Sequence, residues 1–224
     1  MAVTMADITK LRKMTGAGMM DCKNALNDAE GDFDKAVEII RKKGQAVAAK
    51  RSDREAAEGC VLAKHENGIA AMVALKCETD FVAKNADFVA LTQEILDIAA
   101  ANKPADLEAL KTLSLGNGTI ADAVTDRSGI TGEKMEVDGY GFVEGETVSS
   151  YIHPGNKLAT IVAFNQPNVD PQVARDVAMQ IAAMNPIAIN ADGVPASVLE
   201  SEKAIAADKA RQEGKPENLI DRIA

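Results

Sequence analysis

The sequence predicts an α+β fold: a three-helix N-terminal module, two related α+β core subdomains with antiparallel strands and packed helices, and a helical hairpin at the C-terminal end. Three observations predict it. Apolar residues recur at helical spacing through the first fifty positions, strand-like alternation takes over near Cys60, and a strand-then-helix pattern then occurs twice.

In the N-terminal module, residues 1–45, Ile8, Leu11 and Thr15 share a helical face that Gly16-Ala17-Gly18 interrupts. Met19, Cys22, Leu26 and Ala29 continue on a second helix. Asp32 is placed to cap a third, with Phe33, Val37 and Ile40 on one face and Arg41, Lys42 and Lys43 at the negative end before Gly44. Residues 46–57 are Ala-rich and charged without an apolar stripe, so they read as a linker with helical potential. Lys50, Arg51 and Arg54 are expected to be solvated there.

The first core subdomain, 58–133, opens with strands at 60–63 and 69–75 around Asn67-Gly68, a pair suited to a tight hairpin. Phe88, Leu91, Ile95 and Ile98 mark a helix that Pro104 stops. Residues 103–133 read as connection, with a short helix at 120–124. In the second subdomain, 134–190, residues 135–143 and 148–153 read as strands, and 158–164 resembles 69–75. A helix with Val173, Val177 and Ile181 follows Asp170-Pro171. The hairpin, 191–224, consists of a helix at 196–212, a break at Gly214-Lys215-Pro216, and an amphipathic segment with Leu219, Ile220 and Ile223. That pattern stops at Ala224 without a recognisable C-cap, so the chain reads as shortened at this end.

Composition narrows the function. With 25 basic and 34 acidic residues the formal charge is −9, which disfavours nucleic acid and favours a protein partner. No apolar run approaches the roughly 18 to 20 residues that span a bilayer, and no secretory signal is legible, so a cytoplasmic location without membrane contact is expected. Cys22, Cys60 and Cys77 lack CxxC spacing and read as reduced structural thiols. His65 and His153 lie beside predicted turns, no phosphate-binding glycine loop exists, and Gly139-Tyr140-Gly141 lacks a third spaced glycine. No cofactor, metal or covalent chemistry is expected.

One string stands apart: Thr79-Asp80-Phe81-Val82, where a strand gives way to a helix. Leu75 to Ile98 spans 23 positions, while Phe164 to Ile181 spans 17. Aligned this way, the first copy carries six extra residues in or beside the motif, and extra residues at a rigid junction suggest function.

Two strings carry a resemblance. Leu11-Arg12-Lys13-Met14-Thr15-Gly16-Ala17-Gly18-Met19-Met20-Asp21-Cys22-Lys23-Asn24-Ala25-Leu26 closely resembles the N-terminal signature of the translation elongation factor Ts family. Cys77-Glu78-Thr79-Asp80-Phe81-Val82-Ala83-Lys84 resembles its second signature, although Ala74 and Lys76 stand where the family commonly shows Glu and Asn. The resemblance implies a UBA-like N-terminal module, a coiled-coil hairpin, and guanine-nucleotide exchange on the GDP-bound form of elongation factor Tu. It also implies that Leu11, Arg12, Thr15, Gly16, Ala17, Gly18, Met19 and Met20 form a docking face. Thr79, Asp80, Phe81 and Val82 would dislocate the partner's magnesium, with Phe81 as apolar wedge, Asp80 as electrostatic group, Thr79 as cap and Val82 as seat. The competing reading is a non-catalytic adaptor with the same recognition module.

Overall fold

The computed structural model describes residues 3–223, which fall into two compact units, Met1–Ala182 and Ala183–Ala224. The fold is α+β: helices lie at the N-terminal end and over antiparallel sheets.

In the first unit, helix α1 (Met5–Thr15) starts on a capping box in which Thr4 and Asp7 satisfy each other's backbone N–H, and it ends on Gly16 at φ 71°. Helix α2 (Met19–Asp28) and helix α3 (Phe33–Lys50) follow, α3 capped by the Asp32 carboxylate, which accepts from the Lys35 N–H. Leu11, Cys22, Leu26 and Ala36 are fully buried between them.

Helix α3 differs from expectation, because it runs through Gly44 to Lys50 and takes in the first half of the predicted linker. A mid-helix glycine costs about 1 kcal/mol relative to alanine. Here Gly44 lets another backbone approach: a Cβ on Gly129 would stand 2.1 Å from the Gly44 Cα. Gly129 belongs to helix α7 (Ile120–Thr131), far longer than the short segment expected at 120–124. The Arg41 Nε donates to Asp126 Oδ2 across the same crossing at 3.2 Å. Residues read as mere connection therefore fasten the helical module to the core.

Strands β1 (Glu58–Glu66) and β2 (Ile69–Cys77) form the expected hairpin, with Asn67 and Gly68 both at positive φ. Strand β5 (Met135–Glu144) pairs antiparallel with the other edge of β2, giving the order β1-β2-β5. The strand expected to open the second subdomain thus completes the first sheet, where Met135 and Val137 are buried in its core. Helix α5 (Ala86–Asn102) covers that sheet through Phe88, Leu91, Ile95, Leu96 and Ala99. A one-turn helix α4 (Asp80–Ala83) lies between β2 and α5. Helix α6 (Leu107–Thr112) and the small hairpin of β3 (Ser114–Leu115) and β4 (Gly118–Thr119) lead into α7.

Strands β6 (Thr147–Ile152) and β7 (Ala159–Phe164) pair separately, followed by helix α8 (Pro171–Met184). The six surplus residues of the first strand-helix copy are spread over its three parts. Strand β2 runs two residues past Leu75, whereas β7 ends at Phe164. The connection is eight residues in the first copy and six in the second. Ile98 lies twelve positions after the start of α5, and Ile181 ten after the start of α8. Two surplus residues fall in each part: those ending β2 and those in the connection lie in or beside the motif, and the two inside α5 do not.

In the second unit, helix α9 (Ala196–Gln212) and helix α10 (Glu217–Ile223) are joined through Gly214 at φ 73°. Ala210 and Ile220 are buried, and Arg211 bridges Asp208 and Glu217. Among the described residues no helix is long and apolar enough to cross a membrane.

Candidate functional site

The turn carrying Thr79-Asp80-Phe81-Val82 is too short to hold itself, since a single helical turn fixes many dihedrals for few hydrogen bonds. Its neighbours hold it. Thr79 caps α4 with extended backbone (φ −126°, ψ 154°), and its Oγ1 accepts from the Val82 N–H at 3.4 Å. Glu133, just beyond the α7 C-cap Gly132, gathers three donors from this turn. Its Oε2 accepts from the N–H groups of Glu78 and Thr79, each at 3.1 Å, and its Oε1 accepts from the Thr79 hydroxyl at 2.6 Å.

Glu78 answers in the opposite direction. Its Oε1 accepts from the Lys134 N–H at 2.6 Å, and both its oxygens take the Arg51 Nη1 at 3.0 Å. The Lys134 hydrogen bond and then Arg51 hold the Glu78 carboxyl below its ordinary range. Arg51, expected to be solvated, is thereby half-buried and ties the end of α3 to the turn. The Cys77 thiol donates to the Thr79 carbonyl at 3.2 Å, and burial is the main cause pushing that thiol up to about 11. It is a structural group, since the reactive form is the thiolate.

From this anchored turn Val82 and Ala83 face the core, while Phe81 is 85% exposed. Full burial of such a ring is worth about 1.5–3 kcal/mol, a stabilisation that Phe81 forgoes in this chain. Beside it Asp80 accepts from Lys84 Nζ at 2.6 Å, one helical turn on. That hydrogen bond and the Lys84 charge keep the Asp80 carboxyl below its usual value. The turn presents an apolar ring and an anion at a fixed place.

The other predicted face divides by burial. Leu11 and Ala17 lie inside the helical core, and Thr15 is half-buried, donating to the Leu11 carbonyl at 2.8 Å. Arg12, Gly16, Gly18, Met19 and Met20 are exposed. Met5 and Met14 are exposed as well, and sequence reading did not single them out. Flexible, polarizable methionines suit an adaptable contact surface. Elsewhere, His65 Nδ1 pairs with the Ser150 hydroxyl and His153 Nδ1 with the Tyr151 hydroxyl, each at 2.9 Å. The three cysteines are buried. Among the described residues neither histidine is hydrogen-bonded to a cysteine, and the Cys77 thiol reaches the Phe81 turn only through its structural bond to the Thr79 carbonyl.

The profile of the family described as Elongation factor TS matches residues 78–224. The Elongation factor Ts of Porphyromonas gingivalis is 64% identical over 225 residues, spanning 100% of this chain and 82% of that protein. This chain belongs to the elongation factor Ts family. The Elongation factor Ts of Bacteroides thetaiotaomicron is 69% identical over 214 residues, 95% of this chain and 64% of that one. That of Azobacteroides pseudotrichonymphae is 56% identical over 223 residues, 100% and 81%. Family membership makes the protein a translation elongation factor. Both strings that resembled elongation factor Ts signatures now have a physical form: one a helical face with its methionines outward, the other a clamped turn with its phenylalanine outward.

Proposed function

We propose that this chain is a guanine-nucleotide exchange factor for elongation factor Tu, acting in the cytoplasm on the GDP-bound GTPase. The observation that carries the reading is Phe81, exposed to solvent yet seated on a turn fixed by Glu133, Glu78 and Arg51. A ring held ready in this way enters a partner pocket without first being ordered, which reduces the cost of docking. Arg12, Met19 and Met20 supply the docking face, with Leu11 and Ala17 holding its shape from beneath.

GDP is retained by phosphate contacts, magnesium and ordered switch segments, so a protein that stabilises the partner with those contacts broken releases the nucleotide. Phe81 is the wedge and Asp80 the charge set beside the displaced magnesium site, with Thr79 and Val82 keeping both in place. The work is done by differential binding, with no bond made or broken. The coupling is reciprocal: if docking lowers GDP affinity, GDP lowers the affinity for the factor by the same ratio.

The test is release of fluorescent GDP from elongation factor Tu. The intact chain is expected to accelerate release. Phe81→Ala at saturating concentration should lose about tenfold or more of that acceleration, the scale of truncating a buried anchor at an interface. Asp80→Ala should lose less. Tight association with elongation factor Tu without faster release would instead establish the adaptor.

A further inference from the structure

We infer that Glu133 is the positioning residue of the Phe81 turn, an inference that rests on the exchange reading for its functional consequence. It lies outside both signature strings, 54 residues from Thr79, and its carboxylate makes no hydrogen bond to Phe81 or Asp80. Its carboxylate nevertheless satisfies the backbone N–H groups of Glu78 and Thr79 and the Thr79 hydroxyl together. These groups lead directly into α4, which has four residues and no other stabilising length.

The chain around Glu133 is built to aim it. Gly132 at φ 75° closes α7 in the left-handed region, turning the backbone back toward β2. The Ser128 hydroxyl, 2% exposed as a residue, donates to the Glu133 carbonyl at 2.5 Å and fixes the backbone from behind. One residue on, the Lys134 N–H returns a bond to Glu78, so the two segments grip each other in both directions. Three donors converge on the two oxygens of this carboxylate, the two N–H groups on one and the Thr79 hydroxyl on the other, so removing the carboxyl group leaves all three without it.

Loosening this grip should leave the sheet and the docking face intact while releasing the ring. The substitution is Glu133→Ala, with the exposed Glu66→Ala on β1 as control. In the free protein, amide exchange followed by NMR at Glu78, Thr79 and Val82 should accelerate about tenfold or more, with the β1-β2-β5 amides unchanged. With elongation factor Tu, the maximal GDP-release rate should fall severalfold while the concentration for half-maximal effect stays within about twofold, because docking by the helical face is retained.

Unchanged protection at Glu78 and Thr79 would overturn the clamp. Lost protection with an unaltered maximal rate would overturn its positioning role. If the intact chain fails to accelerate release, the exchange reading falls, and the amide measurement still decides whether Glu133 holds the turn. Should Glu133→Ala not fold, Glu133→Asp keeps the charge and withdraws it by one methylene. It should show the same pattern to a smaller degree, and full protection in that variant would equally refute the clamp.

Discussion

Two phenylalanines seven positions apart, Phe81 on α4 and Phe88 on α5, occupy opposite extremes of the same junction, 85% and 1% exposed. Phe88 enters a core with Leu75, Leu91 and Ile95, and its burial helps fix α5 on the sheet. Phe81 stands on a turn whose geometry comes from polar groups: a carboxylate, an arginine, a thiol and a cap. The difference separates two uses of one side chain. Apolar packing makes the scaffold, and hydrogen bonding holds out a ring that the scaffold itself does not need.

Substitutions can break that comparison, beginning with its buried side. Phe88→Ala should cost about 3–5 kcal/mol of folding stability, read from a denaturant midpoint at constant slope. Gly129→Ala asks whether backbone contact is equally interior: with its Cβ at 2.1 Å from Gly44, strain of about 1–3 kcal/mol is expected in the same measurement. Phe81→Ala should stay within about 0.5 kcal/mol of the parent, although under the proposed function it should lose most of the acceleration of GDP release. A loss as large as that of Phe88→Ala would make the two rings equivalent and end the comparison.

The smallest effect concerns Asp80. Its folded-state pKa lies below the ordinary 3.8 because Lys84 bonds it, so the contribution is present above the unfolded value and is lost as pH falls through the folded one. Both groups are exposed, and the unfolding midpoint should not move measurably when Lys84 is changed to Ala. A carboxyl NMR titration should instead show Asp80 returning toward its ordinary value in that variant, and no return would dissociate the acid from Lys84.

Local chemistry was legible in the sequence, and long-range pairing was not. Asn67-Gly68 announces its hairpin because few residues accept two successive positive φ angles, and Phe88, Leu91, Ile95 announce α5 by period. Gly44 reads as a helix stop, since a glycine after a basic last turn is the common C-terminal signal. Its actual reason is Gly129, invisible without the fold. Strand β5 looked like the start of a new subdomain because nothing in its own residues names β2 as its partner. At the site, an exposed ring beside an acid could be suspected from Phe81 and Asp80, whereas Glu133 and Arg51 act across 54 and 27 residues. Leu11 and Ala17 sit in a recognisable string, and only burial separates them from Met19 and Met20.

Helix α3 has a mechanical consequence. It runs unbroken for 18 residues, about 27 Å at 1.5 Å per residue, from the Asp32 cap to Arg51 at the Glu78 carboxylate. A helix of this kind is a shaft with a phase as well as a length. Insertion of one residue between Gly44 and Arg51 would advance the helix by about 1.5 Å and rotate one end against the other by about 100°. An insertion of four residues would bring the angle back to within about 40° while adding about 6 Å of reach. Insertion length therefore sets in what proportion azimuth and reach change between the methionine face and the Phe81 turn.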